Sequence, residues 1–202
     1  AASGESRSGA KGQDDLGNGT AAFFQFESRY DLDTGASTGT AAGTGFFDEK
    51  AVVGLSFANG ALKVYFGKSA SPIDRIGNNI GHLANDIGVK SSMGGWRNGA
   101  FYDYNANGLA VAAAVTTKGG ALGDTDTSEG TDGSKVGYGA RLGYYGHGLL
   151  ARVAYQNDGP VAASSTVAGN NLAVGKKQHE WAGVLAYNFY EGMKVPLAIG
   201  VS

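Results

Sequence analysis

Along KVGYGARLGYY, Val136, Tyr138, Ala140, Leu142 and Tyr144 fall on one side of an extended chain, and Gly137, Gly139, Arg141 and Gly143 on the other. LLARVAYQ repeats the pattern, with Leu149, Ala151, Val153 and Tyr155 opposite Leu150, Arg152, Ala154 and Gln156. MKVPLAIGV does so again, with Met193, Val195, Leu197, Ile199 and Val201 against Lys194, Pro196, Ala198 and Gly200. Successive side chains of a strand point to opposite faces, so a sustained period of two predicts strands and not helices. The connections alternate as well. Short ones at 14–19, 57–60, 105–108, 145–148 and 189–192 each carry glycine near their end, as tight hairpins with positive φ require. Long ones at 32–45, 69–95, 118–134 and 158–177 are rich in Gly, Ser, Thr, Asn and Asp. The pattern predicts an all-β, antiparallel up-and-down meander of roughly ten strands, with tight turns at one end and long loops at the other. It shows no linker, so 1–202 is expected to be a single domain.

Which face is apolar changes the picture. A soluble half-buried sheet carries a richly charged outer face. Here the second face holds small residues and isolated bases, which suits a transmembrane β-barrel with lipid outside and water within. Glycine, 35 of 202 residues, far exceeds the usual ~7% and fits many short strands with tight turns. No apolar run is long enough for a transmembrane helix, which leaves a barrel open. AASGESRSG is not a secretory signal, although a mature exported chain would look the same. Net charge is −2, so no bulk basicity points to nucleic acid. Cysteine is absent, which removes disulfides, thiolate nucleophiles and Cys-rich zinc sites.

The charges within strands are the informative set. Arg7, Lys11, Arg29, Lys63, Lys68, Arg97, Arg141 and Arg152 are expected to form a basic pore wall, with Gln25, Glu27 and Glu180 as its acidic and polar members. Lys50, Lys135 and Lys194 also fall in or beside strands, although simple alternation sets Lys50 and Lys68 with the apolar positions. Carboxylates there are fewer, mainly Glu27, Glu49, Asp103 and Glu180. A basic wall between low-dielectric sides enriches anions, so a weak anion preference is expected. Tyr30, Tyr65, Tyr102, Tyr104, Tyr138, Tyr144, Tyr155, Trp181, Tyr187 and Phe189 lie towards strand ends, where amphipathic rings would form membrane girdles. Catalytic signals are weak. His82, His147 and His179 share no metal-ligand spacing, and DTDTSEGTDG lacks the register of a calcium loop. The glycine repeats lack the strand and helix context of a nucleotide site, so no cofactor and no catalysis are expected.

SRSGAKGQDDLGNG, AFFQFES and DLDTG together resemble the opening of the general trimeric porins of Gram-negative outer membranes, proteobacterial and neisserial. AVVGLS with YFGK, WRNGAFYDY, GYGARLGYY and EWAGVLAYNF resemble later strands of the same family. The resemblance implies a sixteen-stranded barrel, three per assembly, in contact with outer-membrane lipid and lipopolysaccharide. Each barrel would carry ions and small hydrophilic solutes by passive diffusion. It also implies that 69–95 folds inward as a constriction loop bearing Asp74, Arg75, Asp86 and Lys90, facing the basic wall. Sixteen strands need roughly 300 residues, so the chain is expected to be a piece of a larger barrel or a smaller barrel. Ser8, Ala10 and Thr20 stand where the family carries bulky lipid-facing residues, and Phe101 where it carries a base. Two other readings stay open: a non-channel barrel acting as adhesin or structural anchor, and a soluble β-rich binding module.

Overall fold

The computed structural model describes residues 6–30, 47, 49–73, 76, 96–118, 136–160, 177–187 and 197–201. The strands are β1 (Ser6–Gly17), β2 (Thr20–Tyr30), β3 (Lys50–Phe57), β4 (Leu62–Ser69), β5 (Trp96–Ala106), β6 (Leu109–Lys118), β7 (Gly137–Gly146), β8 (Leu149–Pro160), β9 (Lys177–Tyr187) and β10 (Leu197–Val201). They form one ten-stranded sheet in chain order, and every neighbouring pair is antiparallel. The sheet is open, with β1 and β10 as its edges. The meander read from the alternation is the observed topology.

Local chemistry explains the tight end. Asn18-Gly19, Asn107-Gly108 and His147-Gly148 all take positive φ, which twists a two-residue hairpin the way its strands twist. The Asp15 carboxylate accepts the Gly17 N–H at 2.8 Å, which braces the first of these turns. The turns are also joined sideways. Asn59 N–H donates to Gly19 O at 3.0 Å, Asn105 N–H to Ala61 O at 2.8 Å, and Tyr145 N–H to Gly108 O at 2.7 Å.

One face of the sheet presents large apolar groups to the outside, among them Phe24, Val53, Leu55, Phe66, Val115, Leu142, Val153, Trp181 and Leu185. Phe66 is 57% and Trp181 65% exposed, in a band that water would solvate at a cost of about 25 cal/mol per Å². Strands of 10–12 residues such as β1, β5 and β7 rise ~3.3 Å per residue, enough to cross a bilayer core when tilted. The opposite face, called the polar face below, carries the buried clusters. Val52, Tyr65, Trp96, Phe101 and Ala114 form one. Ile73 and Ile76, beyond β4, form the other with Leu150, Ala154, Ala182, Val184 and Ala186.

Two glycines make room on that face. A side chain at Gly54 would drive its Cβ into Tyr65 Cβ and the Val64 carbonyl, so only glycine lets Tyr65 cross there. A Cβ on Gly139 would lie 3.4 Å from both Pro72 and Trp96 and 2.9 Å from the Tyr155 carbonyl. The small residues of the second face therefore seat neighbouring side chains as well as leaving space.

Candidate functional site

Register assembles the polar face in rows that run across the strands. Arg7 pairs with Arg29, Lys11 with Gln25, and Gln13 with Phe23 between β1 and β2. Glu27 pairs with Lys50 and Ala21 with Ser56 between β2 and β3. Further along, Ser56, Lys63, Asp103, Ala112, Arg141, Ala154 and Ala182 are successive partners in one row from β3 to β9. Gln156 pairs with Glu180 and Arg152 with Val184 between β8 and β9. Bases that are far apart in the chain thus share one face.

The charges are organised as a network in the half formed by β1–β4. Glu49 lies between two arginines. Its carboxylate accepts a hydrogen bond from Arg29 Nη2 at 2.8 Å, with Arg29 Nε at 2.7 Å in the same ion pair, and Arg7 approaches it at 3.2 Å. Two guanidiniums around one carboxylate leave a net positive charge. Beside them the Gln25 amide donates to Glu27, and Lys50 Nζ donates to Gln25 Oε1 at 3.4 Å. Nearer the turns, Lys63 sits 5.7 Å from the centre of the Phe23 ring, and the Asp103 carboxylate accepts the Tyr65 hydroxyl at 2.7 Å. Tyr65 in turn stacks on Phe101, with ring centres 5.0 Å apart.

The half formed by β7–β9 is dressed differently. The segment after β4 lies against it: Ser71, Pro72, Ile73 and Ile76 are buried, and the two isoleucines pack on Leu150, Ala154 and Val184. Arg152 donates to the Ile76 carbonyl at 3.2 Å, so this guanidinium holds the segment to the sheet.

Several sequence-level expectations change here. Lys50 stands on the polar face, because the buried positions of β3 are Val52 and Ser56 and Lys50 keeps their parity. Lys68, placed in the basic wall from sequence, is partnered with Ala51 in the row of Phe66 and Val53, off the row of bases. That is the side on which simple alternation sets it, and the irregularity between Gly67 and Ser69, with Gly67 at φ 124°, affects the pairing with β5. Tyr65, expected in a girdle, is buried on the polar face. Phe101 fills the place of a missing base as the ring under Tyr65. Arg97 is the register partner of Lys118. Asp74, Arg75, Asp86 and Lys90, like Lys135, Lys194 and His82, lie outside the described residues. So does the acidic run at 124–132, and among the described residues no cluster of His, Asp or Glu could hold a metal. Sequence reasoning missed the role of Glu49, since nothing local marks a carboxylate as shared by Arg7 and Arg29. The three-residue spacing of Ile73 and Ile76 was the available sign of a segment with a face to bury.

On the apolar face, Tyr138, Tyr155, Trp181 and His179 gather towards the long-loop end. Tyr155 meets Trp181 at 4.5 Å between ring centres, and its hydroxyl reaches His179 Nδ1 at 2.7 Å. Tyr144 and Tyr187 lie near the turn end and are exposed, an arrangement of rings at two depths that matches membrane interfaces.

Comparison with known proteins agrees with this arrangement. A family model described as Gram-negative porin matches residues 1–200. The fold is similar to an anion-selective porin from Comamonas acidovorans, with a TM-score of 0.62 and 19% identity over 94% of this chain and 55% of that one. It is also similar to OmpF of Salmonella typhi, solved with daunomycin, with a TM-score of 0.62 and 16% identity over 95% of this chain and 56% of that one. The chain thus spans little more than half the length of either structure. Among curated proteins no match was found.

Proposed function

Because this chain belongs to the Gram-negative porin family, and with it to the outer membrane, we propose that its polar face lines a water-filled channel for passive diffusion of ions and small hydrophilic solutes. One observation carries the reading: a sheet with large apolar groups exposed on one side and a basic, hydrogen-bonded network on the other. Lipid satisfies the first side and water the second.

The channel prefers anions weakly. Arg7, Lys11, Arg29, Lys50, Lys63, Arg141 and Arg152 outnumber Asp15, Glu27, Glu49, Asp103 and Glu180 on the polar face. A positive wall bounded by low-dielectric material raises the local anion concentration. The segment starting at Ser69 narrows the passage, supported by the burial of Ile73 and Ile76 against β8 and β9. Its remaining charges, Asp74, Arg75, Asp86 and Lys90, would set a field across the gap. The assembly is a homotrimer, for which the apolar-side row of β1 is the support. Ser8, Ala10 and Gly12 are small there, opposite Ser28, Phe26 and Phe24, and suit a close protein contact better than acyl chains.

Planar-bilayer recording of the complete protein under a salt gradient tests the reading. Discrete conductance steps with a reversal potential of anion sign are expected. Arg7→Glu or Arg141→Glu should move that potential towards cation preference. An unchanged potential in both variants would remove these residues from the lumen, and a folded protein without conductance would end the channel reading.

A further inference from the structure

Near the tight turns, the polar face of β1–β4 forms a half-open cavity of about 620 Å³ lined by Lys11, Gln13, Phe23, Gln25, Ser56 and Lys63. Small-molecule sites commonly occupy ~300–1,000 Å³, so the size is that of a ligand site with room for water. Its composition is unlike the rest of the basic face. The guanidiniums of Arg7 and Arg29 are both paired with Glu49, and Lys50 is tied to Gln25. Among the described residues, by contrast, neither Lys11 nor Lys63 makes an ion pair.

The nearby carboxylates each accept a hydrogen bond from a neutral donor, and Asp103 is also the cross-strand neighbour of Lys63. Asp15 accepts the Gly17 N–H, Glu27 accepts the Gln25 amide, and Asp103 accepts the Tyr65 hydroxyl. Two ammonium groups therefore face a cavity that also offers the Phe23 ring and the neutral polar groups of Gln13, Gln25 and Ser56. Phe23 is half-buried, held edge-on by Tyr65 at 6.0 Å between ring centres, with the Lys63 ammonium 5.7 Å from its own centre. A simple inorganic anion would use the charges and gain nothing from the ring. A planar apolar body with a carboxylate would use both, through ring packing and charge-assisted hydrogen bonds.

We infer that this cavity is a binding subsite for small aromatic monocarboxylates, with Lys11 and Lys63 holding the carboxylate and Phe23 packing against the ring. The inference rests on the channel reading, which puts this face in water and gives solutes access to it.

Benzoate and acetate are the probes, applied to the complete protein folded in detergent and, separately, in a planar bilayer. Saturation-transfer NMR should show benzoate bound and acetate a poor competitor. Lys11→Gln with Lys63→Gln should weaken benzoate about tenfold, the effect of losing charge-assisted contacts. Phe23→Leu should erase the advantage of benzoate over acetate. Gel mobility of unheated samples checks folding, and Lys11→Gln alone replaces the double variant if that one fails to fold. Equal behaviour of benzoate and acetate, or binding indifferent to both lysines, overturns the subsite even if the channel conducts. Benzoate binding that depends on the lysines, in a protein that passes no current, keeps the subsite and ends the channel reading.

Discussion

The polar face has two halves, and they solve opposite problems with the same strand geometry. On β1–β4 it carries Arg7, Lys11, Arg29, Lys50 and Lys63 with their carboxylate and amide partners. On β7–β9 it carries Leu150, Ala154, Ala182 and Val184, covered by Ile73 and Ile76. Alternation alone makes both halves look alike, because each is the side opposite the lipid-facing residues. What differs is the partner: a network of charged and amide side chains on one half, a returning segment of the chain on the other. Among the described residues two bases, Arg141 and Arg152, stand on the covered half, and Arg152 donates to a backbone carbonyl of the returning segment.

That contrast can be broken most severely at Gly54. Gly54→Leu would force a side chain into Tyr65 and the Val64 carbonyl, and overpacking of this kind costs about 1–3 kcal/mol. Urea unfolding in lipid vesicles, followed by gel mobility, should show a lowered midpoint. A wild-type midpoint would mean that Tyr65 has another place to go.

Arg152→Met should come next. It removes a hydrogen bond from a charged donor, worth about 1.5–3 kcal/mol, and it should loosen the segment around Ile76 while the strands stay paired. Single-channel records should show added open-channel noise with normal assembly. Quiet records of wild-type amplitude would deny Arg152 its anchoring role.

Glu49→Gln sharpens the other half. With the carboxylate between Arg7 and Arg29 removed, the anion-to-cation permeability ratio should rise, by about twofold in a confined field. A fall in that ratio would show that Glu49 does not share the lumen with the arginines. Trp181→Ala gives the smallest effect, about 0.5–1.5 kcal/mol from the lost contact with Tyr155, and selectivity should not move. A shifted reversal potential in this variant would contradict its place on the lipid side.

The fold was largely legible in the sequence because its information is local. A period of two names the strands, and Asn-Gly pairs name the hairpins, as Asn18-Gly19 and Asn107-Gly108 show. The bases of the first half were legible for the same reason, since Arg7, Lys11 and Arg29 sit at regular steps from Phe24 and Phe26. Lys68 was placed in the wall against its own parity, which sets it with Phe66, and Lys50 keeps the parity of Val52 and Ser56. The role of Glu49, the seat of Tyr65 over Phe101 and the docking of Ile76 on Arg152 are non-local. Each depends on which strand stands beside which, and no short stretch of sequence records that.

The sideways bonds between the tight turns carry a consequence for assembly. Gly19 to Asn59, Ala61 to Asn105 and Gly108 to Tyr145 tie successive hairpins at their tips. In a sheet of period two, sliding one strand by a single residue would carry its whole lipid-facing set to the water side and its bases into lipid. Tied tips make such a slip break contacts on both flanking hairpins at once. The rim thus works as a gauge that each hairpin must fit, and it ties the inside and outside of the wall to the register held at its edge.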